Sequence, residues 1–167
     1  MKNISLIGPM GSGKSTIGAL LASKLDLDFI DLDEQIELKT GQKISEIFEQ
    51  KGEDFFRTIE SEILRDFSSK SDQIISTGGG AVQNEQNLKT LKESSITIYL
   101  KTSPKVLFDR IKEDTSRPLL QTEKPFETIC QLLKKRAANY EKADIIVVTD
   151  GKTTEEIVEE IIKNVKS

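Results

Sequence analysis

Short apolar runs rich in β-branched residues alternate with longer helix-period stretches along the whole chain. Ile4–Ile7, Asp28–Asp31, Gln73–Ser76, Thr97–Leu100 and Asp144–Val148 have the length and composition of strands. Between them, Ile17, Leu20, Leu21 and Leu25 recur at spacings that line one face of a helix, as do Ile157, Val158, Ile161, Ile162 and Val165. Boundary signals agree with this reading. Thr153 and Glu156 stand at capping-box spacing, and Ser103-Pro104 offers an N-cap followed by proline at the first helical position. Strands alternating with helices predict an α/β domain, a parallel sheet covered on both faces. Two stretches depart from the alternation. Glu46 to Asp66 reads as mostly helical between the second and third strands, and Asp114 to Lys124 is polar and reads as loop. No repeat, low-complexity tract or linker divides the chain, so one domain is expected over residues 1–167.

Composition narrows the partners. A chain of 167 residues suits one domain with a sizeable core. The net charge of −4 gives no general attraction to nucleic acid or anionic lipid, so any basic site must be local. Cys130 is the only cysteine and the chain has no histidine. It forms no internal disulfide and has no imidazole base to activate it, so it reads as a buried structural thiol. The first apolar stretch is too short for a secretory signal and is interrupted by Gly8 and Pro9. No later run approaches the ~18 apolar residues of a membrane span. A cytoplasmic protein with neither nucleic acid nor membrane as partner is expected, and a monomer.

Ligands of parallel sheets bind beyond the carboxyl ends of the strands, so those ends carry the candidate chemistry. The first strand runs into GPMGSGKS, Gly8 to Ser15, which fits G-x-x-x-x-G-K-[ST] and precedes a helical pattern. Its backbone N–H groups suit phosphates at a helix N-terminus, Lys14 suits the β- and γ-phosphates, and the Ser15 hydroxyl suits Mg²⁺. The second strand ends in FIDLDEQIE, with Asp31 and Asp33 two residues apart. An extended chain there would point both carboxylates the same way, one toward the metal through water and the other toward an acceptor hydroxyl. A helix N-cap with acidic neighbours is the plainer alternative. In EDFFRTIESE, Arg57 and Glu60 share a helix face and can pair, though spacing alone fits a solvated ion pair equally well. Arg117, in the polar stretch DTSRPLLQTEKP, has the setting of a lid cation, and Arg136 lies in the helical LLKKRAANY; taken singly, each could be a surface charge. The third strand ends in ISTGGGAV. Each glycine there costs roughly 0.5–1 kcal/mol against alanine in regular structure, so the triplet is either a flexible turn or a backbone that something must approach closely.

Taken together, GPMGSGKSTIG, FIDLDEQIE, FFRTIE, ISTGGGAV, RPLL and RAANY resemble the shikimate kinase family in order and approximate spacing, over nearly the whole chain. The resemblance implies a three-layer αβα sandwich of the P-loop kinase fold, with a five-stranded parallel sheet of order 2-3-1-4-5. It implies transfer of the ATP γ-phosphate to the 3-hydroxyl of shikimate, on the pathway to chorismate, with Mg²⁺ as cofactor. It assigns ATP to Gly11, Ser12, Gly13, Lys14, Ser15, Thr16, Arg110 and Arg117, with Arg110 stacking and further base contacts near Asp150–Thr154. The metal falls to Ser15 and, through water, Asp31. The acceptor falls to Asp33, Arg57, Gly78, Gly79, Gly80, Arg136 and Glu60. In that set Arg57 and Arg136 clamp the carboxylate, Glu60 orients Arg57, and Gly79 meets the substrate with its N–H. Catalysis falls to Asp33 as base, with Lys14 and Arg117. Residues 32–66 would form the substrate-binding helical segment and 114–124 the lid. One departure is local: the family often has a proline in the RAANY segment, where Ala137 and Ala138 stand here. Gluconate kinase shares the loop and a polyol acid substrate, but FFRTIE, GGG and RPLL together favour shikimate. A non-catalytic nucleotide-binding regulator would have no need of Lys14, Asp33 and Arg117 together.

Overall fold

A computed structural model describes residues 1–112 and 122–167. Five strands, β1 (Asn3–Ile7), β2 (Asp28–Asp31), β3 (Gln73–Ser76), β4 (Ser95–Lys101) and β5 (Ile145–Val148), form one all-parallel sheet. Its order is β2-β3-β1-β4-β5, as the family resemblance implied. The strand runs fall where the β-branched stretches predict, with β4 longer at both ends.

Alternation along the strands builds two cores. Ile4 and Leu6 of β1, Ile74 of β3, and Ile98 and Leu100 of β4 face α1 (Lys14–Leu25) and α8 (Thr154–Lys166). Their neighbours Ile7, Ile75 and Tyr99 face the other way, toward α2 (Leu32–Thr40), α3 (Ile44–Lys51), α4 (Glu53–Ser68) and α5 (Glu85–Ser94). Strands buried on both faces are what a parallel sheet between helix layers requires. A third, small cluster joins α6 (Pro104–Ile111) and α7 (Pro125–Tyr140) through Leu107, Ile111 and Ile129, with Met10 of the phosphate loop packed on it.

The expected caps form. Thr153 and Glu156 make a reciprocal capping box, and the Ser103 hydroxyl accepts from Val106 N ahead of Pro104. Two expectations need revision, and a third falls beyond what is described. The helical insertion begins at Leu32, well before Glu46, because Asp31 caps α2 directly. Cys130 is half-buried on α7, so it is not the buried thiol expected. The polar loop, and Arg117 with it, lies outside the described residues except for Thr122 to Lys124.

Candidate functional site

A cleft of about 1060 Å³ opens at the carboxyl ends of β1, β2 and β3. Lys14, Asp33, Arg57, Gly78–Gly80 and Arg136 all line it, although they come from five separate segments.

The phosphate loop is shaped by its glycines. Gly11 (φ +80°) and Gly13 (φ +95°) hold left-handed conformations that side chains rarely adopt, and Gly13 is the N-cap of α1 without a side-chain cap. The N-terminal N–H groups of α1 are thereby left to an anion, and the helix dipole favours one. Lys14 is buried, its Nζ donating to the carbonyls of Gly8 (2.7 Å) and Pro9 (2.8 Å). The loop is also braced from outside. Arg110 Nη1 donates to Gly11 O at 2.9 Å, and a Cβ on Gly11 would lie 2.7 Å from Ile111 Cγ2.

At the end of β2 the plainer reading of the aspartates, a helix N-cap, is observed for Asp31, while both side chains face the cleft. Asp31 Oδ1 caps α2, accepting from Asp33 N (3.0 Å) and Glu34 N (3.3 Å). Its Oδ2 accepts from the Ser15 hydroxyl at 2.7 Å, across the phosphate loop. Asp33 is in the first turn of α2, so the extended arrangement assumed from the sequence does not occur. The helix instead aims Asp33 inward, where its Oδ1 is 3.0 Å from the place a Gly78 Cβ would occupy.

The opposite wall carries the guanidinium groups. Arg57 Nη1 donates to Glu60 Oε1 at 2.8 Å and Nη2 to Glu53 Oε1 at 3.3 Å. Its guanidinium carbon lies 5.1 Å from the Phe56 ring centroid. Glu60 is 1% exposed, so the pair is no solvated surface bridge. Burial alone would lower the Arg57 pKa, but Glu60 and then Glu53 outweigh it and the net direction is upward. Burial raises Glu60, against the opposing pull of Arg57 and with Asp33 adding to the rise. The other Glu60 oxygen, Oε2, is buried and has no hydrogen bond among the described residues. Arg136, on α7, is 6% exposed and reaches the same wall.

The glycine triplet is where these parts meet. Thr77 N and Oγ1 both bond Leu6 O, at 3.2 and 3.1 Å, which carries the β3–β1 pairing up to the triplet. None of the three has a left-handed φ, so freedom of conformation is not their purpose. Space is. A Cβ on Gly80 would lie 2.5 Å from Arg57 Nη2, and one on Gly78 2.7 Å from Glu60 Oε2. At Gly79 the missing Cβ points at Met10 N and Arg136 Nη1, each 3.3 Å away. The close approach the sequence suggested is thus, in the Cβ direction, an approach of the protein's own groups.

Some residues escaped the sequence reading. Glu53, which pairs with Arg57 without lining the cleft, stands four residues before it, a helix-pair spacing that marks it in retrospect. Lys43, Ser45 and Phe48 carry no local signal and join the wall through the fold alone, while Lys152, just before α8, and Thr154, its first residue, fall in the 150–154 stretch that the resemblance gave to the base.

Comparisons with known proteins agree with this geometry. A family model described as shikimate kinase matches residues 10–166. A shikimate kinase of Thermodesulfovibrio yellowstonii is 51% identical over 163 residues, covering 98% of this chain and 94% of its own. The solved structure of a shikimate kinase from Acinetobacter baumannii in complex with shikimate superposes with a TM-score of 0.97 at 38% identity, covering 99% of this chain and 93% of that one. A gluconokinase from Sinorhizobium meliloti 1021 superposes at 0.61 with 18% identity, over 99% of this chain and 91% of its own, which shows a shared fold alone.

Proposed function

The chain belongs to the shikimate kinase family, and from that premise we propose how its cleft transfers the ATP γ-phosphate to the 3-hydroxyl of shikimate. The reaction is an ATP-dependent phosphoryl transfer to an alcohol, giving shikimate 3-phosphate and ADP. One observation carries the division of labour: two guanidinium groups and a backbone triplet face the same cleft as the phosphate loop. Phosphate recognition alone requires only the loop. The buried Arg136 and the half-buried Arg57 add a planar, permanently charged clamp, which suits a carboxylate on a small acceptor.

In this reading Gly11 to Thr16 hold the triphosphate, Lys14 meets the charge that develops on the transferred group, and Arg110 borders the nucleotide. Arg117, outside the described residues, is proposed to bind ATP phosphate. Asp33 holds the acceptor hydroxyls and accepts the proton of the attacking one. Arg57 and Arg136 take the carboxylate, Glu60 holds Arg57, and Gly78–Gly80 present backbone to the ring. Ser15 Oγ at the edge of the loop is the hard oxygen donor that would hold Mg²⁺, and Asp31 Oδ2, 2.7 Å from it, would help through water. Mg²⁺ held there would supply neutralisation of the phosphate charge. A cytoplasmic monomer with no macromolecular partner is proposed. Among the described residues no helix is long and apolar enough to cross a membrane.

The test is ADP release with and without shikimate, with gluconate as the competing acceptor and product identified by mass. Shikimate-dependent release of one ADP per shikimate phosphate is expected. Release that ignores shikimate, or that follows gluconate, would remove the reading.

A further inference from the structure

Each carbonyl of the glycine triplet has a donor, and two of the three donors are local. Ala81 N donates to Gly78 O and Gln83 N to Gly80 O, both at 3.2 Å, as the chain turns into the short 3-10 segment Ala81–Gln83. The middle carbonyl is met from 61 residues away, by the hydroxyl of Tyr140. Among the described residues no acceptor takes the N–H of Gly78, Gly79 or Gly80, so the bonding of the triplet is one-sided.

Tyr140 is an unusual choice for that task. Its side chain is 0% exposed, where an apolar ring would pack as well without a polar tip to satisfy. The ring stacks on Tyr99, with centroids 4.9 Å apart and planes at 26°. Tyr99 in turn lies opposite Ile7, the last residue before the phosphate loop. Tyr140 closes α7 one turn after Arg136, so one helix face brings a guanidinium to one side of Gly79 and a hydroxyl to its carbonyl. Burial raises the phenol's pKa, against the pull of Arg136, so the hydroxyl stays a donor at neutral pH.

We propose that Tyr140 is a positioning residue for acceptor recognition, its hydroxyl fixing the Gly79–Gly80 peptide so that the Gly80 N–H is presented to the cleft. The peptide is trans, which puts this N–H opposite the carbonyl that Tyr140 holds. Gly79 and Gly80 line the cleft and Tyr140 stands behind them. The proposal rests on the reading of the triplet as the acceptor's backbone contact.

Tyr140→Phe keeps the ring and its stack and removes one hydroxyl. With only 10 glycines in the chain, glycine-selective ¹⁵N labelling follows each amide separately. The Gly80 resonance should move in the variant while those of Gly41, Gly52 and Gly151 stay. The KM for shikimate should rise about fivefold, with that for ATP within about twofold, as expected for one lost hydrogen bond on one side of the site. Tyr99→Phe, which alters the other ring of the stack, should leave the Gly80 resonance and both KM values at parent level. An unmoved Gly80 resonance in Tyr140→Phe, a parent-like shikimate KM, or equal rises in both KM values with a lowered melting temperature would overturn the proposal. So would a Tyr99→Phe variant that moves Gly80 as far. A parent protein without shikimate-dependent turnover would fail at the first measurement, and would remove the functional reading and the proposal together.

Discussion

In the proposed assignment, the nucleotide half and the acceptor half of the cleft are made by opposite means. The nucleotide half is one continuous loop from Gly8 to Ser15, shaped by left-handed glycines and closed by Lys14 on carbonyls five and six residues back. The acceptor half takes Asp33, Arg57 with Glu60, the triplet, and Arg136 from four segments that touch only in the folded chain. A contiguous loop keeps its shape when helices shift against the sheet. An assembled wall does not, since its geometry depends on how α4 and α7 are packed and on what Glu60 and Tyr140 hold in place. The general task, holding phosphate, is local; the selective task, holding one acid, is tertiary.

The comparison breaks most sharply at Lys14. Lys14→Ala should lower kcat by about 10³-fold or more, because a positive charge is lost where charge develops in the transition state. Retention of kcat within about tenfold of the parent would reassign the loop. The acceptor half should break differently. Arg57→Lys or Arg136→Lys keeps the charge but loses the planar fork. The KM for shikimate should rise roughly 30-fold, about 2 kcal/mol, with the KM for ATP little changed. Steady-state kinetics on both substrates checks this. Equal effects on both would speak for a phosphate role and dissolve the division between the halves.

The same contrast explains what the sequence could show. All five strands and the phosphate loop follow from period, β-branched runs and one local motif, because each is specified within a few residues, whereas the order of the strands was implied only by the family resemblance. The inward aim of Asp33 was not legible from spacing, since it depends on Asp31 ending β2 and capping α2 in the same step. The Arg57–Glu60 pair was legible as a spacing, but its burial was not, because Gly78, Asp33 and Arg136, which lie against Glu60, come from elsewhere in the chain. Tyr140 stands inside the quoted RAANY stretch, yet its contact with Gly79 exists only across 61 residues.

The triplet is the seam between the halves, and its members should respond differently. An added methyl at Gly80 meets first the Arg57 guanidinium, at 2.5 to 2.9 Å. Gly80→Ala should therefore raise the shikimate KM about tenfold and spare ATP, since the fork must swing aside. Gly79→Ala presses on Arg136 and on the backbone of Met10 at 3.3 Å, so it should raise both KM values, each by about fivefold. Neither residue has a left-handed φ, so backbone strain should not lower the melting temperature of either variant. Calorimetric titration with each ligand beside a thermal melt separates these outcomes. Parent-like shikimate affinity in both variants would make the triplet a simple turn.

The smallest effect concerns Glu60, which anchors the assembled half through Arg57. Its pKa is raised above the ordinary 4.5 by burial, so the folded protein holds a proton that the unfolded chain releases. The stability slope with pH follows the protons bound unfolded minus those bound folded, which is negative here. The contribution of Glu60 is fully present below about pH 4.5 and is lost as pH rises from there through the folded pKa, at up to about 1.4 kcal/mol per pH unit. Asp144, with Asp72 and Asp150, is held low in the fold, and such groups act in the opposite sense and in a lower window, losing stability as pH falls through their folded values. Urea denaturation of the parent and of Glu60→Gln across pH 4 to 8 isolates the difference, because the amide carries no such proton. The parent's stability should decline relative to the variant above about pH 4.5 and then run parallel to it once Glu60 is ionised in both states. Profiles that are parallel throughout would mean that Arg57 holds Glu60 ionised despite its burial.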